Sequence, residues 1–133
     1  MVCVVVLAAA SGYGVLLRRR SGRVRVRGRD DGKGLDAAEL GAELGERATL
    51  VQFSSAFCAP CRATRRVLGE VAAVVPGVTH VEIDAEAHLD LVRRLDILKT
   101  PTVLVLDADG RVVRRAAGQP RKADVIAALG EAV

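Results

Sequence analysis

The segment FSSAFCAPCRATRR, residues 53 to 66, holds two cysteines three positions apart, Cys58 and Cys61, and the other 119 residues hold only one more, Cys3. The stretch before the pair, TLVQFSS (49 to 55), has strand composition, and Pro60 falls where the first turn of a helix begins. Cys58 therefore sits at a strand-to-helix junction. Free backbone N–H groups and the positive end of the helix dipole favour thiolate over thiol there, and Arg62 and Arg65 are expected to add positive field nearby. An exposed thiolate attacks a disulfide, and a second thiol one turn further in can resolve the mixed disulfide that forms. The spacing of three suits this, because residues i and i+3 share a helical face. Two cysteines kept only as packing residues would not need that junction. A structural zinc site needs four ligands, yet no second cysteine pair is present and His80 and His88 lack zinc spacing, so no metal is expected.

The flanking pattern supplies elements to position the pair. Asp36 followed by Glu39 reads as a helix N-cap opening AAELGAELGE (37 to 46). Val67, Leu68, Val71 and Val75 recur at helical spacing after Pro60, and Pro76-Gly77 closes that helix. VTHVEID (78 to 84) alternates as a strand, and AHLDLVRRLDI (87 to 97) reads as a helix with Leu89, Val92 and Leu95 on one side. TVLVLDADGRVVRRAAG is two strands around a turn at Asp107 to Gly110, and RKADVIAALGEAV is a closing amphipathic helix. Strands alternating with helices imply a partly parallel sheet covered on both faces, with one antiparallel hairpin at its end.

Charge divides the chain unevenly. Residues 18 to 29 carry seven arginines and no acid, whereas residues 30 to 133 carry 13 basic and 16 acidic side chains. The folded part is thus mildly acidic, which argues against nucleic-acid binding. Residues 1–17 contain no charged side chain and are followed at once by Arg18, Arg19 and Arg20. A helix of that length reaches the short end of what crosses a bilayer. A secretory signal carries its positive charge before the apolar stretch, not after it. The expected organisation is a transmembrane anchor over 1–17, an Arg-rich juxtamembrane linker over 18–34 and a globular domain over 35–133, with the collar and the domain in the cytoplasm. The alternatives are an apolar N-terminal helix packed on a soluble cytoplasmic domain and a wrongly assigned chain start. The alternating RVRVR of the linker reads as a solvated polybasic segment or an edge strand.

The chain resembles the thioredoxin family from about residue 36 to residue 131. The resemblance rests on FCAPC at 57 to 61, TPT at 100 to 102, DADG before the last hairpin strand, and Gly118 after it. It implies an α/β thioredoxin fold, a mixed four- to five-stranded sheet with helices on both faces, here preceded by an apolar N-terminal helix. It also implies that Pro101 is cis and that Thr100 offers its backbone to an incoming substrate strand, with Gly118 beside it. The departures are Phe57 for the family's tryptophan, Ala59 for its glycine, and Gln52 for the acid usually buried behind the second cysteine. His80 stands where the family often has a lysine partner to that acid, and is a candidate substitute in proton transfer. The plainer reading, a strand residue facing solvent, is favoured over that role. Asp84 matches an aspartate at a strand end, expected to be structural.

By this resemblance the protein is a thiol–disulfide oxidoreductase that reduces protein disulfides through Cys58 and Cys61. Its partners would be protein disulfide substrates and a thioredoxin reductase or similar donor. NADPH would be used by that donor, since the chain has no glycine-rich dinucleotide motif. No cofactor beyond the redox-active dithiol is expected, and a monomer in a bacterial cell membrane is the expected state. Two competing readings are a redox-silent or redox-sensing binding module at the membrane, and an exported oxidant or cytochrome-maturation protein of the opposite topology.

Overall fold

A computed structural model describes Ser11 and residues 34–133. The expected anchor and linker, the RVRVR segment included, lie outside the described residues apart from Ser11 and Gly34. No helix among the described residues is long and apolar enough to cross a membrane.

The chain enters against the far hairpin: Leu35 N–H donates to the Gly110 carbonyl at 2.9 Å, and Gly34 bridges to Arg111. Asp36 then caps helix α1 (Ala37–Leu40), its carboxylate accepting from Glu39 N–H at 2.8 Å. The cap is as expected, but the helix is four residues long and does not run to 46. Gly41 takes φ 67°, a left-handed conformation that ends the helix at little steric cost.

Strand β1 (Ala48–Ser54) is buried along its whole length because strands flank it on both sides and helices cover both its faces. Helix α2 (Ala59–Val74) follows the cysteine pair and buries Cys61, Thr64, Leu68 and Val71. Of the expected apolar stripe, Val67 is only half-buried and Val75 lies beyond the helix as its C-cap. Strand β2 (Val78–Asp84) pairs parallel with β1. A single 3-10 turn (Ala85–Ala87) comes next, its first N–H groups met by Asp84, whose carboxylate accepts from Glu86 N–H at 2.9 Å. This is the structural role expected of Asp84.

The helix expected over 87 to 97 is shorter, α3 (Leu89–Arg94). Asp96 adopts φ 54°, Ile97 N–H reaches back to the Val92 carbonyl at 2.9 Å, and Asp96 N–H bonds to the Arg93 carbonyl. That is a Schellman ending, and it swings Ile97 into the core beside Leu95 while Leu89 stays exposed. Strands β3 (Thr102–Asp107) and β4 (Val112–Ala117) form the hairpin, and α4 (Lys122–Ala132) closes the chain. The hairpin turn is held by the Asp107 carboxylate, which accepts from both Asp109 N–H and Arg111 N–H at 3.0 Å. Gly110 supplies φ 83°, a conformation that few other residues adopt without strain.

The sheet has four strands in the order β2-β1-β3-β4, with β1–β3 and β3–β4 antiparallel. Val51, Phe53, Leu104 and Leu106 face one side and meet Leu35, Leu40, Leu95 and Ile97. Leu50, Val103 and Val105 face the other and meet Leu68 and Val71 of α2 and Val125 and Leu129 of α4. Helices therefore cover both faces, and the cysteine pair emerges where β1 hands the chain to α2.

Candidate active site

Phe57 precedes the pair with φ 58° and its side chain fully in solvent, so the loop turns sharply just before the first cysteine. Cys58 is the N-cap of α2, and its sulfur accepts from Cys61 N–H at 3.2 Å. The helix thus directs an unpaired N–H at that sulfur, an interaction that favours a thiolate when the pair is reduced. Ala59 and Pro60 are exposed in the first turn, where the missing proline N–H leaves no bond unmade. Cys58 and Cys61 are joined by a disulfide with Cα atoms 5.2 Å apart. Their surroundings differ: Cys58 is half-exposed, while Cys61 is 1 % exposed.

Arg62 lies exposed next to the inner cysteine. The Arg65 guanidinium forms a two-pronged pair with Glu82 at 2.7 and 2.8 Å, which raises the Arg65 pKa and engages its charge with that carboxylate. The pair ties α2 to β2.

The second loop of the site approaches from the start of β3. The Thr100–Pro101 bond is cis, and the Pro101 carbonyl accepts from Gly118 N–H at 2.8 Å, with Gly118 at φ 91°. Thr102 Oγ1 donates to the Lys99 carbonyl at 2.6 Å. The Ser55 and Thr100 hydroxyls meet at 2.7 Å and join this loop to the one carrying the cysteines. Ser55 drew no attention in the sequence, because nothing local marks a serine whose partner is 45 positions away.

Gln52 is fully buried behind the inner cysteine. Its Nε2 donates to the Cys61 carbonyl at 2.7 Å and to Ser54 Oγ at 3.0 Å, and its Oε1 lies 3.2 Å from His80 Nε2. Ser54 Oγ donates in turn to Glu82 Oε2 at 3.3 Å. His80 is therefore half-buried and bonded inward, not the solvent-facing strand residue expected of it. Burial lowers its pKa from 6.5; the Glu82 charge opposes that shift and the Arg65 charge adds to it. Ser54 and Glu82 belong to the site environment although their sequence positions gave no sign of it. Among the described residues no cluster of His, Cys, Asp and Glu could hold a metal ion.

A disulfide thus stands at the N-terminus of a helix that follows a central strand, with a cis-proline loop alongside, and residues 35–131 match the thioredoxin family. The chain belongs to the thioredoxin family. It is 31 % identical over 85 residues to the thioredoxin of Mycobacterium tuberculosis, covering 63 % of this chain and 72 % of that one. Chlamydia muridarum thioredoxin is 32 % identical over 77 residues, covering 58 % of this chain and 74 % of the relative. The X-ray structure of Fasciola hepatica thioredoxin superposes with a TM-score of 0.58 at 18 % identity, over 67 % of this chain and 84 % of that one, a likeness of fold. Family membership and the Cys58–Cys61 pair make the protein a thiol–disulfide oxidoreductase, and a redox-silent module is not favoured.

Proposed function

We propose that this thioredoxin-family protein works as a protein-disulfide reductase, with Cys58 as the attacking and Cys61 as the resolving cysteine. The unequal exposure of the two carries the assignment: a substrate sulfur can reach Cys58, whereas Cys61 is buried one helical turn behind it. The Cys58 thiolate attacks a substrate disulfide, forming the mixed disulfide and releasing one substrate thiolate. Cys61, its thiol proton passing to solvent, then attacks Cys58 Sγ as the thiolate, closing the Cys58–Cys61 bond and releasing the second substrate thiolate. Two electrons pass to the substrate, and each departing thiolate takes a proton from solvent. The pair itself carries the electrons. A dithiol donor such as a thioredoxin reductase returns the pair to the reduced state.

The cis-proline loop supplies the docking edge: Thr100 is tied to the cysteine loop by the Ser55–Thr100 hydroxyl contact, and the Pro101 carbonyl is bonded to the Gly118 N–H. Phe57 and Leu98 stand fully exposed on these two loops and offer apolar contact to the substrate. The decisive test replaces Cys61 with serine. Cys61→Ser holds substrates as mixed disulfides on Cys58, whereas Cys58→Ser captures none; equal capture by both variants overturns the assignment of roles. A redox titration of the wild-type pair near about −270 mV fits a reductase, and a value near about −120 mV fits an oxidant.

The reading extends to the N-terminus as a tether that holds the domain in the cytoplasm at a bacterial membrane. Its support is the uncharged run 1–17 followed by the arginines of 18 to 29, in the order that retains positive charge inside. Alkaline extraction leaves an anchored protein in the membrane fraction, and release into the soluble fraction overturns the tether.

A further inference from the structure

The polar groups behind Cys61 have only one consistent direction of hydrogen bonding. The Cys61 carbonyl can only accept, so Gln52 must present its NH2 group there, at 2.7 Å. The single hydroxyl proton of Ser54 goes to the Glu82 carboxylate, so Ser54 Oγ accepts from the same NH2 group. Both Gln52 donors are then used, and its Oε1 faces His80 Nε2 at 3.2 Å. An oxygen there requires His80 to donate, which fixes the Nε2–H tautomer. If the amide turned over, its oxygen would face the Cys61 carbonyl oxygen inside the core, two acceptors with no proton between them.

We propose that His80 is a positioning residue for the resolving step: its Nε2–H holds the Gln52 amide in the one orientation that anchors the Cys61 backbone against β1. The proposal rests on Cys61 being the resolving cysteine. The anchor matters most after the Cys58–Cys61 bond opens. With the disulfide closed, the covalent bond itself holds the two sulfurs together. In the mixed disulfide no covalent bond holds the two cysteines together, and the Gln52 bond ties the Cys61 backbone on α2 to the central strand, keeping its sulfur within reach of Cys58. His80 makes no contact with the reacting sulfurs in this scheme and acts only through Gln52.

The test measures release of the second substrate thiol in single-turnover reactions, in which formation and decay of the mixed disulfide are resolved separately. His80→Leu removes the donor and keeps bulk; it slows decay of the mixed disulfide about 5- to 10-fold, as expected for losing one buried hydrogen bond, and leaves its formation unchanged. His80→Gln restores an N–H donor and recovers most of the rate. Gln52→Leu slows the same step, and His80→Leu adds nothing in that background. Additive effects of the two substitutions, failure of His80→Gln to recover the rate, or an equal slowing of formation and decay overturns the proposal. If wild-type protein forms no mixed disulfide that Cys61 resolves, the reductase reading fails first, and that outcome is distinct from a wild-type step that His80→Leu leaves untouched.

Discussion

The two faces of the sheet are built from different materials. The face under α1 and α3 is apolar except for Thr49 and Thr102, whose hydroxyls are bonded to the Gly45 N–H and the Lys99 carbonyl; Phe53 is its largest fully buried side chain, packed among Val51, Val81, Ile83, Leu104 and Leu106. The face under α2 and α4 is apolar only in part. Leu50, Val103 and Val105 cover its middle, but at its β1–β2 corner Gln52, Ser54, His80 and Glu82 occupy positions that could have carried aliphatic side chains. The polar corner lies directly behind the cysteine pair. One strand contributes to both faces, because Phe53 points one way and Gln52 and Ser54 the other. Both faces bury aliphatic clusters, and the second gives up some packing at one corner to fix the backbone of the reactive helix.

Substitutions that touch one face at a time separate these roles. The largest effect on stability is expected from Phe53→Ala, which opens a cavity on the apolar face and costs about 3–5 kcal/mol in denaturant unfolding. The reduction potential of the surviving folded protein should not move, and a shifted potential would show that the faces are coupled. Gln52→Leu is expected to cost less, about 1–3 kcal/mol, since it removes the buried bonds to Ser54 Oγ and the Cys61 carbonyl and leaves the His80 Nε2–H without its partner. A variant that proves more stable than wild type would mean that the polar corner contributes nothing that packing could not replace.

The elements with strong local signals were legible. The boundaries of β2, the Asp36 cap, the Asp107–Gly110 turn and the place of Cys58 at a strand-to-helix junction all follow from spacing and residue type over a few positions. What could not be read depends on partners far along the chain. The helix expected to run to 97 ends early because Ile97 has to reach the core, and no residue in the segment announces that Asp96 will take a left-handed conformation. Arg65 looks like free positive charge beside the cysteines until Glu82, on the neighbouring strand, is placed against it. The same strand register pairs Glu82 with Gln52 and His80 with Leu50, so that His80 lies diagonally across from Gln52. Sequence resemblance directed attention to Gln52 and His80, but their contact belongs to the parallel pairing of β1 with β2.

The smallest expected effect is a pH dependence confined to that corner. In the unfolded chain His80 titrates near 6.5, and burial lowers its pKa in the folded protein. The neighbouring Glu82 carboxylate would favour the protonated ring, but it is already engaged by Arg65, whose own charge acts in the opposite direction. Between the folded value and 6.5 the unfolded chain binds a proton that the folded protein does not, so stability falls as pH drops through this window. Above it the ring is neutral in both states and contributes no slope; below it the ring is charged in both, and the loss is complete. Urea unfolding at about pH 7.5 and in steps down to about pH 5 checks this when wild type is compared with His80→Gln, because the carboxylates contribute equally to both proteins and cancel in the difference. The wild type should lose more stability on acidification than the variant. Parallel curves would mean that His80 titrates as it does in water, and that the corner behind Cys61 is as open to solvent as the other face of the sheet is closed.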